Sequence, residues 1–203
     1  MITRSNDFPP ELAVQGFGDQ LQVVKEAKLL GIILTSDLKW GANTDYICGK
    51  AYRKMWSIRR MKVLDMDPLI ILDVYIKEIR SVLELAVPAW HSGLTVKQSA
   101  DLERVQRVAL YIILSDVDTG SSEYNYDMSL VILDIEPLYI RREQLCVNFA
   151  RKTLKSRHSD MFQETISIYN TRQQKDAFQE YHSNTQRCYN SPLNYLTRLL
   201  SQK

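Results

Sequence analysis

Three pairs of acidic side chains with one residue between them, Asp65/Asp67, Asp116/Asp118 and Asp134/Glu136, come closest in this chain to a divalent-metal site. Metal-assisted phosphoryl transfer or hydrolysis needs carboxylates held on a rigid element beside an open coordination position. Each of these pairs falls instead just ahead of a predicted helix or in a polar stretch, where acidic residues more often serve as caps and turn formers. The chain contains no Asp-Asp dipeptide of the kind that a polymerase palm uses to hold two metals. His91, His158 and His182 stand alone, outside the HxH, HxD and HExxH spacings of zinc hydrolases and iron oxygenases. No Ser/His/Asp arrangement, glycine-rich phosphate loop or dinucleotide fingerprint is present. Cys48, Cys146 and Cys188 are odd in number and far apart, which argues against a disulfide framework and against a zinc site. The sequence therefore assigns no catalytic residue, no metal ligand and no cofactor.

The remaining chemistry is cationic. Lys50, Arg53, Lys54, Arg59, Arg60 and Lys62 recur at helical spacing, and from Cys48 to Leu64 no acidic residue offsets them. A solvated helix face would look like this. So would a face that follows a nucleic-acid backbone, since cations at helical spacing contact phosphates rather than read bases. Trp40, Trp56 and Trp90 could stack on bases, although packing in a core or at a hinge is the commoner use of tryptophan.

These residues must be carried by elements that the pattern of apolar residues predicts. Leu12–Val14, Leu21–Val24 and Leu29–Leu34 read as two or three short antiparallel strands, with Gly31 inside the last marking a bulge or the close approach of another backbone. Asn43 or Thr44 caps a following helix, with Asp45 in its first turn. In that helix Ile47, Ala51, Met55 and Ile58 form one apolar stripe, and Lys50, Arg53, Lys54, Ser57 and Arg60 form another face. Asp67-Pro68 opens a second helix, which continues through Arg80 towards Trp90 until Pro88 perturbs it. Thr95 and Gln98 have the spacing of a capping box ahead of a helix reaching about Leu114, with Leu102, Val105, Ala109 and Ile112 on its apolar face. Ser115 to Asp127 reads as a loop, Met128 to Ile135 as a short helix, and Glu136-Pro137 as the start of another with Leu138, Leu145 and Phe149 inward. From Lys155 to Asn190 the sequence is mostly polar and poor in aliphatics, and weak order is expected there.

With 203 residues, 45% hydrophobic and 25% charged, the composition is that of an ordinary globular chain. A net charge of +2 implies no nucleic-acid partner by itself, so that inference rests on where the cations cluster. The N-terminus lacks the apolar core of a signal peptide, and the longest apolar runs fall far short of the ~20 residues of a membrane span. With unpaired cysteines, this predicts a soluble intracellular protein, cytoplasmic or nuclear, with no membrane partner.

The segment KLLGIILTSDLKW, Lys28 to Trp40, followed by KAYRKMWSIRRMK, Lys50 to Lys62, resembles the palm-to-thumb junction of reverse transcriptases from LINE-type (non-long-terminal-repeat) retrotransposons. Further blocks follow in the order of that family: Ile79 to Thr95, Asp101 to Leu110, Ile140 to Lys152 and Tyr189 to Leu200. The chain departs from the pattern at Leu85, where the family often has an aromatic, and at Gly41-Ala42, where a histidine or asparagine is common. The resemblance implies that Leu30-Gly31 matches the leucine-glycine pair opening the last palm strand, beside the primer grip. It also implies that the basic helix is the first thumb helix, near the template-primer duplex. In that family the polymerase aspartates precede this junction, so a chain beginning here is expected to lack them. From about Val24 to Met61 the sequence also resembles a domain family named after the N-terminal part of an AlkB homologue, but it has neither the oxygenase ligands nor a methyltransferase nucleotide turn.

The expected fold is mostly α, with short N-terminal antiparallel strands packed on a thumb-like bundle of five or six helices. Residues 1–40 would be palm-end strands, 41–154 the helical thumb and 155–203 a weakly ordered tail with the terminal YNSPLNYLTRLL segment. The expected function is that of a reverse-transcriptase fragment without polymerase activity, binding the RNA or DNA backbone without regard to sequence. A protein-interaction or inert helical domain is the alternative.

Overall fold

The computed structural model describes residues 24–115, 124–164, 178–179 and 182–201. The expected strands at Leu12–Val14 and over most of Leu21–Val24 lie outside these residues. The chain is mostly helical, with a short antiparallel hairpin ahead of the bundle. β1 (Glu26–Leu29) pairs with β2 (Ile32–Thr35), Leu29 opposite Ile32. Gly31 is therefore not inside a strand. Leu30 and Gly31 are the two-residue turn, with φ of 49° and 87°, the positive values that a tight hairpin of this hand demands. Glycine meets that demand without strain and leucine does not. A Cβ at Gly31 would also come within 3.0 Å of Leu85 Cδ2.

The link to the first helix is pinned by Asp37. Its Oδ1 accepts from Thr35 Oγ1 at 2.7 Å and from the Lys39 amide at 3.1 Å. These bonds, Thr35 foremost, hold its carboxyl well below the usual range. α1 (Gly41–Val63) begins earlier than the sequence implied, with Trp40 at the N-cap and no side-chain cap. Asn43 and Thr44 are buried in its first turn instead. Asn43 Oδ1 accepts from the Ile33 amide at 3.0 Å, satisfying an edge donor of β2 and tying hairpin to helix. The expected stripe of Ile47, Ala51, Met55 and Ile58 is buried.

Asp67 caps α2 (Pro68–Val74) by accepting from the Leu69 amide at 2.7 Å, with proline at the first position. The helix runs on through a π-helical segment, Tyr75–Arg80, into α3 (Ser81–Leu83). It stops before Pro88: Ala86 turns left-handed at φ 51°, and α4 (Val87–Trp90) starts anew. Proline near a helix start forfeits no hydrogen bond, so Pro88 lies inside the new helix rather than breaking the old one. Trp90 is buried and donates through Nε1 to Leu85 O at 2.9 Å. A 3-10 turn, His91–Gly93, leads to α5 (Val96–Leu114), which opens with the reciprocal Thr95/Gln98 capping box. Leu102, Val105 and Ala109 are buried there, while Ile112 is half-buried.

α6 (Tyr126–Ile132) begins two residues before the expected helix because Asn125 caps it, accepting from Asp127 and Met128. α7 (Leu138–Leu154) buries Leu138 and Cys146 but leaves Phe149 exposed, and buries Arg142. After Lys155 the chain forms α8 (Gln186–Tyr189) and α9 (Pro192–Ser201). α9 packs on α4 and α7 and buries Leu196, Asn194 and Thr197. Two-residue strands β3 (Gln163–Glu164) and β4 (Phe178–Gln179) pair ahead of it, and residues 165–177 lie outside the described residues. Six helices of seven or more residues, α1, α2, α5, α6, α7 and α9, thus make the body among the described residues. No helix among them is long and apolar enough to cross a membrane.

At the centre of the bundle Gln106 of α5 is buried and fully engaged. Its Oε1 accepts from Tyr75 Oη at 2.7 Å, and its Nε2 donates to Tyr126 Oη and to Glu136 O, both at 3.0 Å. Tyr126 Oη also donates to Glu103 Oε1, which accepts from the Leu138 amide at 3.1 Å. One side chain therefore registers the π segment, α5, α6 and the start of α7. Gln106→Met keeps the volume but strands buried polar partners, and is expected to cost about 3 kcal/mol. In a chain of this size that lowers the melting midpoint by roughly 6–12 °C. A melt coinciding with that of the wild type would show that the network adds nothing.

Candidate nucleic-acid interface

α1 is the carrier of the cationic residues, and the buried stripe of Ile47, Ala51, Met55 and Ile58 fixes which way each points. At 100° per residue the direction opposite that stripe is occupied by Gly49, Arg53, Trp56, Arg60 and Val63. Lys50 and Lys54 fall on one flank of this ridge, Arg59 and Lys62 on the other. The face expected to hold Lys50, Arg53, Lys54 and Arg60 is therefore divided, and with Arg59 and Lys62 the six candidate cations point in three directions.

Their partners divide them further. Lys54 Nζ lies 2.5 Å from Glu78 Oε2, an ion pair between α1 and the π segment. The same contact lowers the pKa of Glu78. Lys62 Nζ donates to Ile113 O at 3.0 Å, closing one of the carbonyls left open at the C-terminal end of α5. These two lysines are structural. Arg53, Arg59 and Arg60 are exposed and meet no acidic side chain among the described residues, and Lys50 is half-buried. Arg53 reaches back along the ridge: a Cβ at Gly49 would lie 3.8 Å from its Nη1.

Two further residues belong to this surface. Lys28 of β1 donates to Tyr46 Oη at 2.7 Å and sits 4.7 Å from that ring's centroid. The Tyr46 hydroxyl is shifted down, first by Lys28 and then by Lys50 and Arg53, so these cations share one neighbourhood. The other is Trp56, which is 71% exposed, whereas Trp40 and Trp90 pack as tryptophans commonly do. The Trp40 indole takes the space where a side chain at Gly93 would stand, 2.4 Å from a Cβ there. The helical phase of Trp56 against the Met55 stripe could have placed it outward from sequence alone. Nothing in the sequence pairs Lys28 with Tyr46, 18 residues away. Leu30 and Gly31 lie at the hairpin tip, Leu30 with its side chain almost fully exposed, and not beside the Arg53–Arg60 ridge in any contact that the structure records.

Elsewhere the polar groups do different work. A cleft of about 570 Å³ opens between the linker after β2 and the start of α9, lined by Lys39, Trp40, Ser92, Gln98, Asn190 and Pro192 among others. Among the described residues no carboxylate, imidazole or thiol lines it, and its one ionisable side chain is Lys39, whose Nζ pairs with Asp37 Oδ2 at 3.1 Å. Among the described residues no three His, Cys, Asp or Glu side chains come together as a metal site. The acid pairs are dispersed: Asp67 caps α2, Asp134 is a turn residue with positive φ, and Asp116/Asp118 lies outside the described residues. Arg142 of α7 is buried, and its charge acts on the half-buried His91. Arg142 Nη2 donates to Ser99 Oγ at 2.6 Å. The three cysteines are free thiols, and burial pushes Cys48 up to about 11 and Cys146 up to about 12, which keeps both protonated and unreactive.

Comparison with known protein families, with curated proteins and with solved structures finds no match to this chain.

His91 of the 3-10 turn gives the fold a measurable signature. Burial, helped by the Arg142 charge, takes its pKa down to about 4, and its ring meets Tyr195 edge-on at 5.5 Å. The unfolded chain binds that proton near 6.5, so the folded state holds fewer protons between the two values. The His91 contribution to stability is complete above about pH 6.5, falls by up to about 1.4 kcal/mol per unit as pH drops towards 4, and changes little below. Urea denaturation across this range should show the slope in the wild type and a shallower one in His91→Asn. Parallel slopes would mean that the imidazole is not held neutral by the fold.

Proposed function

We propose that this chain is a reverse-transcriptase-derived fragment of LINE type, the palm end and thumb, without polymerase activity and with a retained affinity for RNA or DNA backbones. The observation that carries the binding half is the exposed ridge of α1, where Arg53 and Arg60, with Arg59 on the flank, meet no acidic side chain among the described residues. A cationic helix face of this kind contacts phosphates and carries no base information, so binding is indifferent to sequence. The order of elements, a hairpin feeding a basic helix that packs on a bundle, agrees with the ancestry that the sequence blocks suggest. Inactivity is supported by the lack of an Asp-Asp dipeptide of the kind a polymerase palm uses to hold two metals.

One observation favours the alternative of a protein-interaction domain. The corner between α1 and α2 exposes Val63, Leu64, Leu69 and Ile70 together, an apolar surface of the sort that partner proteins cover.

Binding to a labelled oligonucleotide, followed by anisotropy at rising salt, separates these readings. With Lys50, Arg53, Arg59 and Arg60 as the phosphate contacts, the logarithm of affinity should fall against that of salt with a slope of roughly −3 to −4. Changing those four to glutamine should abolish binding with helix content intact, whereas Lys54→Gln, which loses only the Glu78 pair, should change it little. Binding that survives the fourfold change, or no binding by the wild type at low salt, overturns the nucleic-acid reading. Primer extension with template, nucleotides and magnesium should give background only, and genuine incorporation would overturn the inactive-fragment reading.

A further inference from the structure

We propose that Trp56 is a base-stacking platform and that α1 on this account selects single-stranded over duplex nucleic acid. The inference rests on the nucleic-acid reading above and names which form of the polymer the ridge accepts.

A large indole on a helix surface is ordinarily covered, and Trp56 is 71% exposed in the middle of α1 while the other two tryptophans of the chain are packed. Its neighbours along the ridge are Arg53, one turn towards the N-terminus, and Arg60, one turn towards the C-terminus, about 4.5 Å and 6 Å away along the axis. Tyr52, one turn before it, is partly exposed beside it. An apolar partner protein would have to cover the indole together with the Arg53 and Arg60 guanidiniums, whose charges meet no acid on this surface. An unpaired nucleotide suits the same group without that conflict. Its base offers a π face to the indole, and the phosphates on either side carry the charge that the two arginines lack.

Duplex nucleic acid cannot use the indole in this way. Paired bases stack on one another and present edges in the grooves, so the arginines could still follow the backbone while Trp56 contributed nothing specific. Stacking accepts any base, since every base has a π face, so the platform sharpens the choice of strand form without adding a sequence code. The two effects are separable: the arginines set the salt dependence and Trp56 sets the preference for unpaired strands.

The test uses the full chain with a short oligothymidylate and a duplex of equal length. Wild type should bind the single strand more tightly, and the single strand should quench its indole fluorescence. Trp56→Ala should weaken single-strand binding by about tenfold, leaving duplex affinity and the salt slope unchanged. Trp56→Phe should keep most of the affinity and lose most of the quench, with Trp40 and Trp90 still reporting a folded protein. Wild-type binding that Trp56→Ala does not alter, or alters equally for both forms, overturns the stacking role while sparing the phosphate-binding ridge. If the wild type binds neither polymer, both readings fall together.

Discussion

A single buried amide sets the geometry on which the rest of this fold depends. Gln106 has one acceptor oxygen and one amide nitrogen, and its partners come from the π segment, α6 and the segment entering α7. Apolar side chains tolerate small slides past one another, but these bonds do not, because each lost contact would leave a polar atom stranded away from water. The helices are thereby held in one register around α5. α1 lies against that same helix, and Lys62 fastens its last turn to the carbonyl end of α5. The direction of the Arg53–Arg60 ridge is thus tied, through α5, to this polar network.

The fold was legible where one local rule decided the outcome. The Thr95/Gln98 box, the Asp67-Pro68 start and the Ile47–Ile58 stripe each depend on residues within about a turn or two of one another, and all three stand as expected. Expectations failed where a distant partner claimed the residue. Asn43 looks like a cap by type, yet its side chain is taken by the Ile33 amide, and the cap falls three residues earlier, at Trp40. Gly31 looks like a strand residue flanked by leucines, but the turn needs positive φ at two successive positions and the glycine supplies one of them. α9 lies in the terminal YNSPLNYLTRLL segment, and its buried face combines Leu196 with Asn194 and Thr197, polar residues whose burial composition alone does not indicate.

The site was legible in its chemistry and less so in its geometry. Six cations without an intervening acid were visible at once, but the sequence does not state which of them the fold consumes. Lys54 is engaged by Glu78 and Lys62 by a carbonyl of α5, both residues brought in from other helices. Lys28 joins the surface only because the hairpin folds back beside Tyr46. Trp56 shows the opposite case: its position was deducible from the phase of the apolar stripe, but the usual preference of tryptophan for a core argued against reading it so. Arg142, which composition would place outside, is buried against Ser99.

The π-helical segment Tyr75–Arg80 has a bearing on ancestry. Its hydrogen bonds span one residue more than those of an α-helix, so it accommodates an extra residue without interrupting the rod. A relative whose helix is uninterrupted here would be one residue shorter between the Asp67 cap and Glu84. An alignment that ignored this would rotate the inward positions Ile79, Val82 and Leu83 by about 100° onto polar neighbours. Descent within such a group is then better traced by allowing a one-residue gap at this turn than by counting identities across it.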